Sequence, residues 1–153
     1  MSILGNSGIV GNGSWGTALA KILTDNNRHI QWWLRNEDAV KHLQRTHHNP
    51  NYLTSVRFIE GTIQPTADLV QVLNSCQTIV FAVPSAYAQS VLESVPAEMW
   101  MGKNIISAIK GILPESNLIL NDYLARIPGF DLKRYVAITG PCPRCVMATL
   151  AQA

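Results

Sequence analysis

The chain's 153 residues amount to about one domain, and a hydrophobic content of 47% excludes a disordered tail. Charged residues make up only 14% against the usual ~25%, which predicts a mostly buried sheet or a surface meant to be covered, and a net charge of +2 is too mild to point to nucleic acid. No apolar run reaches the ~18 residues that span a bilayer, the amino terminus lacks the pattern of a secretory signal, and three cysteines, Cys76, Cys142 and Cys145, fit a reducing cytoplasm without a disulfide framework.

Along the chain, short apolar runs alternate with longer amphipathic stretches. Gly8-Ile9-Val10 reads as a first strand, although Gly5, Asn6 and Ser7 ahead of it are poor strand formers. Ser14 to Asp25 reads as a helix whose apolar face carries Ala18, Leu19, Ile22 and Leu23. Ile30 to Leu34 follows as a strand, Glu37 to His47 as a helix, and Val56-Arg57-Phe58-Ile59 as a third strand, with Thr66 placed to cap a helix ending near Cys76. Thr78 to Val83 is apolar along its length, as a parallel strand covered on both faces should be. Ser85 to Ser94 is a helix, Asn104 to Ala108 a strand, Asn117 to Ile127 a helix and Tyr135 to Thr139 a sixth strand. Such alternation indicates βαβ units, and right-handed crossovers then give an α/β, doubly wound, mainly parallel sheet with helices on both faces.

Gly11-Asn12-Gly13-Ser14-Trp15-Gly16 is a G-x-G-x-x-G run that follows a strand and opens a helix, the context in which it signals a Rossmann-type dinucleotide site. Gly11 permits the tight turn, Gly13 lets a pyrophosphate approach the backbone, and Gly16 lets the helix pack close to the sheet. The helix N-terminus then offers N–H groups and partial positive charge to the phosphates. A plain glycine-rich turn is the alternative. Roughly 20 residues on, where an acid usually bonds the adenosine ribose, stands Arg35, followed by Asn36 and Glu37. An arginine there can pair with a 2′-phosphate and stack on adenine. NADP is thereby favoured and Glu37 leaves NAD open; a solvated arginine at a strand end is the alternative.

Several further segments carry a resemblance. Gly11 to Ala20, Trp33-Leu34-Arg35-Asn36, Asn49-Pro50-Asn51-Tyr52-Leu53, Ala82-Val83-Pro84-Ser85, Ser107-Ala108-Ile109-Lys110-Gly111-Ile112 and Thr139-Gly140-Pro141 together resemble, in order and spacing from about Gly8 to Pro141, the bacterial NAD(P)-dependent sn-glycerol-3-phosphate dehydrogenase family. The resemblance implies reversible hydride transfer between C2 of sn-glycerol 3-phosphate and NAD or NADP, giving dihydroxyacetone phosphate, in the supply of the phospholipid backbone. It implies that Ser14, Trp15, Arg35 and Tyr52 contact the dinucleotide, that Lys110 touches cofactor and substrate, and that Gly140 and Cys142 stand at substrate contacts. Lys110 follows the fifth strand, so it lies at the carboxyl edge of the sheet, where an ammonium can hold a phosphate ester or polarise a carbonyl; a surface lysine is the alternative. Pro84 and Ser85 sit where the chain would turn beneath a nicotinamide ring, or simply end a strand with Ser85 capping a helix.

After Pro141 the resemblance stops. Arg144 stands where the family has a small residue, and no acid follows. The expectation is an NAD(P)-binding Rossmann domain over residues 1–141 and a divergent tail over 142–153, with the family's second, helical domain and its general-base lysine missing. No catalytic residue can be assigned, and activity of the chain is expected to be low or nil; a non-catalytic dinucleotide-binding module is the alternative. Bare apolar surface predicts self-association, including a homo-oligomer. Cys142-Pro143-Arg144-Cys145 lacks the further ligands a zinc site needs and the fold context of a redox pair, so no metal is expected. His47-His48 reads as a solvated helix end, and His29 and His42 show no partners. Trp32 and Trp33 point to opposite faces of their strand and read as core.

Overall fold

The computed structural model describes residues 6–138. Its strands are β1 (Ser7–Val10), β2 (Ile30–Trp33), β3 (Ile63–Thr66), β4 (Thr78–Phe81), β5 (Asn104–Ser107) and β6 (Tyr135–Ala137). Its helices are α1 (Ser14–Asp25), α2 (Glu37–Thr46), α3 (Leu69–Ser75), α4 (Ser85–Glu93) and α5 (Leu120–Ala125). The strands form one sheet in the order β3-β2-β1-β4-β5-β6, every pair parallel. This is the doubly wound Rossmann order, and the direction of winding reverses between β1 and β4.

The period-2 alternation of the strands divides the core in two. Ile9, Ile30, Trp32 and Val80 point to the face covered by α1 and α2, where Ala20, Val40 and Leu43 meet them. Val10, Ile79, Phe81 and Ile105 point to the face covered by α3, α4 and α5. Trp32 and Trp33 do face opposite ways: Trp32 is fully buried in the first cluster and Trp33 packs against the second.

Gly8, within β1, has a packing reason. A Cβ at Gly8 would lie 2.6 Å from Cγ1 of Val72 in α3, so the central strand admits that helix only because this position is bare. The apolar face expected for α1 is rotated in the structure. Gly16, Thr17, Ala20 and Thr24 are its buried residues, and Ile22 is 54% exposed. A helix drawn close to the sheet by Gly16 buries its small residues first, leaving Leu19 and Leu23 to pack at the sides.

Three expected elements are corrected. Val56 to Ile59 is not a strand; the third strand is Ile63–Thr66. Pro65 lies within it, and β3 is an edge strand, where a missing N–H is tolerated. The 56–59 segment instead packs over the sheet, with Phe58 buried edge-to-face against Trp32 at 5.4 Å between centroids. Thr66 ends β3 rather than capping α3. Asp68 is the cap, accepting from the Gln71 N–H at 3.2 Å, while the Thr66 hydroxyl accepts from the Asp68 N–H at 3.1 Å. The last helix begins at Leu120 rather than Asn117, because Leu113 and Leu118 form an antiparallel bridge and Asn117 sits at φ +55°.

His29 and His42, for which the sequence shows no partners, both have one. The His29 ring nitrogen Nδ1 lies 3.0 Å from the Gly61 carbonyl, and the His42 and His48 rings meet edge-to-face at 4.8 Å. His47 is the left-handed C-cap of α2, as a helix end requires. Among the described residues, no helix is long and apolar enough to cross a membrane.

Candidate functional site

Where the winding reverses, the loops after β1 and β4 separate and leave a crevice at the carboxyl edge of the sheet. Gly11 turns the chain out of β1 at φ +111°, and a Cβ there would lie 2.7 Å from the Ala82 carbonyl oxygen. A Cβ at Gly16 would lie 2.3 Å from the Gly11 carbonyl oxygen, so the loop closes on the first turn of α1 without room for a side chain. At Gly13 the reverse holds: an added Cβ meets nothing within 4 Å. Two of the three glycines are thus required by the protein's own backbone, while the middle one faces open space.

The caps of the helices around this edge differ in a way that bears on charge. The α2 N-terminus is closed by the Asn36 side chain, which accepts from the Asp38 N–H, and its first turn carries Glu37 and Asp38. The α1 N-terminus, at Gly13, has no side-chain cap and no acid in its first turn. The α4 N-terminus, at Pro84, likewise has neither. Uncapped first-turn N–H groups with a positive dipole end suit an anion, and both helices open at the same cavity.

That cavity has a volume of ≈ 420 Å³. Gly11, Asn12 and Gly13 form one wall and Val83, Pro84, Tyr87 and Val91 another, with Trp33, Arg35 and Tyr52 closing the end. A second hollow of ≈ 600 Å³ shares Asn12, Arg35 and Tyr52 and adds Asn36, Glu37 and Asn51. Arg35 stands between the two hollows, its guanidinium carbon 5.6 Å from the centroid of the Tyr87 ring, a cation–π distance. The indole N–H of Trp32 donates to the Gly11 carbonyl at 2.9 Å, and the Gly11 N–H donates to the Trp33 carbonyl at 3.2 Å, so β2 holds the glycine loop from below.

Of the residues expected at the site, Gly11, Gly13, Arg35, Tyr52 and Pro84 line the main cavity. Ser14, Trp15 and Gly16 form the first turn of α1 behind it, and the partly buried Trp15 leaves its indole nitrogen without a hydrogen-bond partner. Lys110 lies beyond β5 at the same edge of the sheet, exposed and followed by Gly111 at φ +95°, but it lines neither hollow. Gly140 and Cys142 lie outside the described residues, as do Cys145 and the whole 142–153 tail. Ser85 does not cap α4; it is the first helical residue, and Pro84 is the cap.

The sequence reading missed Tyr87, Val91 and Asn49. Tyr87 stands one turn into α4 and is 52% exposed, and its proximity to Arg35 depends on a crossover that no local pattern encodes. Asn49 is fully buried; a buried asparagine in a Asn-Pro-Asn turn leaves no periodic signal. The one described cysteine is remote from the site. Cys76 precedes β4 at the amino edge of the sheet, and burial pushes its thiol pKa up against the opposing effects of Lys103 and the Gln31 backbone. No group of three or more metal-ligating side chains occurs among the described residues.

Comparison with known proteins gives the family and the fold. Residues 7–143 match the family described as NAD-dependent glycerol-3-phosphate dehydrogenase N-terminus. The NAD(P)+ glycerol-3-phosphate dehydrogenase of Lacticaseibacillus casei is 35% identical over 140 residues, an alignment covering 87% of this chain and 40% of that protein. The crystal structure of the Coxiella burnetii glycerol-3-phosphate dehydrogenase superposes with a TM-score of 0.76 at 28% identity, covering 95% of this chain and 44% of that one. The Plasmodium falciparum glycerol-3-phosphate dehydrogenase gives 0.78 at 25% identity, covering 95% and 43%. The chain therefore spans well under half the length of the relatives it matches.

Proposed function

Because the chain belongs to the NAD-dependent glycerol-3-phosphate dehydrogenase N-terminal family, we propose that it binds NAD or NADP across the crevice between β1 and β4. The observation that carries the reading is the contrast between the glycines. Gly11 and Gly16 are fixed by backbone contacts, whereas Gly13 opens onto an uncapped helix terminus and a cavity. The first-turn N–H groups of α1 take the pyrophosphate, Arg35 and Glu37 take the adenosine ribose end, and Pro84 lies along the path toward the nicotinamide. The cofactor supplies or accepts a hydride when bound. Lys110, at the same carboxyl edge of the sheet, offers an ammonium to the substrate phosphate or carbonyl.

In this reading the substrate pair is sn-glycerol 3-phosphate and dihydroxyacetone phosphate, the setting is cytoplasmic, and the product serves phospholipid backbone supply. The binding unit occupies residues 1–141, with Gly140 and Cys142 at its substrate edge and 142–153 outside it, and self-association belongs to the same reading. No general base is assigned among the described residues, and lack of one costs roughly 10²–10⁴-fold in rate. The 153-residue polypeptide assayed by itself is therefore a cofactor binder with little or no turnover, a second reading favoured by its covering 40% of its relative's length. Calorimetric titration with NADH and NADPH, followed by nicotinamide absorbance with either substrate, tests both. Saturable binding without turnover is expected. Absence of binding by the folded chain contradicts the cofactor site, and turnover of about 1–10³ s⁻¹ contradicts the second reading.

A further inference from the structure

We propose that Asn49 is a positioning residue that locks the glycine loop and the Tyr52 loop together and so pre-forms the cofactor cavity; this rests on the cofactor reading above. Asn49 is fully buried although polar. Its Nδ2 donates to the Asn12 carbonyl at 2.9 Å and to the Thr17 hydroxyl oxygen at 2.8 Å. Its Oδ1 accepts from the backbone N–H groups of Asn51 at 2.9 Å and Tyr52 at 3.2 Å. The Thr17 hydroxyl in turn donates to the Gly13 carbonyl at 2.9 Å. One side chain thus joins the segment after β1, the first turn of α1, and a loop more than thirty residues away.

Only a carboxamide meets these demands. It offers two donors and an oxygen with two lone pairs, and here all are used. The orientation is dictated by the partners: a carbonyl on one side and two N–H groups on the other admit one placement of nitrogen and oxygen. An aspartate would keep the two acceptor bonds and turn a carboxylate toward the Asn12 carbonyl, while an alanine would leave three part-buried backbone groups without this partner.

The clamp's members border the ligand space directly. Asn12 and Tyr52 line both hollows, and Gly13 faces the main one. Tyr52 is followed by Leu53 in a left-handed conformation, φ +49°, so its loop is held by specific bonds rather than by regular structure. Fixing both loops before binding removes an ordering cost that the cofactor would otherwise meet.

The test uses the 153-residue chain, NADH and NADPH titrations by calorimetry, and three variants. Asn49→Ala removes the clamp. Thr17→Val removes one of its partners at nearly constant volume. Thr24→Val removes another buried hydroxyl of the same helix, one that bonds to the Ala20 carbonyl at 3.0 Å, and serves as the control for a purely structural effect. Asn49→Ala and Thr17→Val, measured below their melting temperatures, are expected to weaken cofactor binding about tenfold each, as loss of a buried hydrogen bond from a pre-formed site would. Their combination should lose less than the product of the two, because they break one network. Thr24→Val should lower the melting temperature and leave affinity unchanged. Unchanged affinity in folded Asn49→Ala or Thr17→Val overturns the proposal, as does equal weakening by Thr24→Val. If Asn49→Ala fails to fold, Thr17→Val against Thr24→Val still decides. Failure of the unsubstituted chain to bind either cofactor overturns the cofactor reading and this one together.

Discussion

Gly13 and Gly16 stand three residues apart in one loop, yet substitution should separate binding from folding. At Gly16 an alanine Cβ would lie 2.3 Å from the Gly11 carbonyl oxygen, where real contacts stay beyond 3.0 Å. The obstacle is a backbone carbonyl that cannot swing aside, since it is itself held by the Trp32 indole N–H. Overpacking of this kind costs about 1–3 kcal/mol, and at this chain length about 1 kcal/mol moves the melting temperature by ~2–4 °C. Gly16→Ala is therefore expected to melt several degrees low. At Gly13 a side chain meets nothing within 4 Å, and the backbone, at φ −70° and ψ −178°, is extended and open to any residue. Gly13→Val should lose up to about 1 kcal/mol as a poorer helix cap, offset by a similar gain from a stiffer unfolded chain. Its melting temperature should stay close to that of the parent, while its side chain fills the approach to the α1 N–H groups and binding is lost. Scanning calorimetry with and without NADH measures both quantities on one sample. A Gly16→Ala chain as stable as the parent, or a Gly13→Val chain that binds normally, would refute the reasoning.

Three further outcomes are expected. Arg35→Ala should weaken NADPH more than NADH, since a charge-assisted bond to a 2′-phosphate is worth about 1.5–3 kcal/mol and an exposed arginine lies at the low end; equal loss for both cofactors in fluorescence titrations would remove Arg35 from the ribose site. Burial, with the adjacent Glu93 as acceptor and the charges of Glu93 and Glu115, raises the Tyr123 pKa from 10.0 to about 12. Its stabilisation is complete below the unfolded pKa and is lost as pH rises through the folded one, so Tyr123→Phe should make the alkaline fall in melting temperature across that window shallower, and an unchanged limb would contradict it. Asp68→Ala removes the cap that accepts from the Gln71 N–H at 3.2 Å and should cost about 0.5–2 kcal/mol in chemical denaturation, with cofactor affinity intact because Asp68 itself lines neither hollow.

The parts of the fold that could be read from the sequence are those where one physical demand dominates. Ser14–Asp25 has both its boundaries in the sequence, because a glycine loop opens it and a run of Asp, Asn and Asn closes it. β4 is plain because a strand covered on both faces is apolar throughout. The third strand was misplaced because Val56 to Ile59 has the better strand propensity, and tertiary position, not propensity, decides that Pro65 can sit at an edge. The face of α1 was misread because its contact is made by small residues, which hydrophobic periodicity undercounts. At the site, glycine spacing and a basic residue after β2 were legible as local chemistry. Tyr87 and Asn49 were not, since each acts through partners brought close only by the crossovers and the long loop.

The central claim is that a dinucleotide lies across the α1 N-terminus, with Arg35 and Tyr52 at one end and Pro84 along the other wall. Backbone amide chemical-shift mapping of the full chain during an NADH titration tests it most directly. The account predicts saturable shifts concentrated at Gly11 to Gly16, Arg35, Tyr52 and Ser85, with the amino edge of the sheet around Gln31 and Cys76 unmoved. Shifts centred on that opposite edge, or none in a folded chain at saturating cofactor, would contradict it.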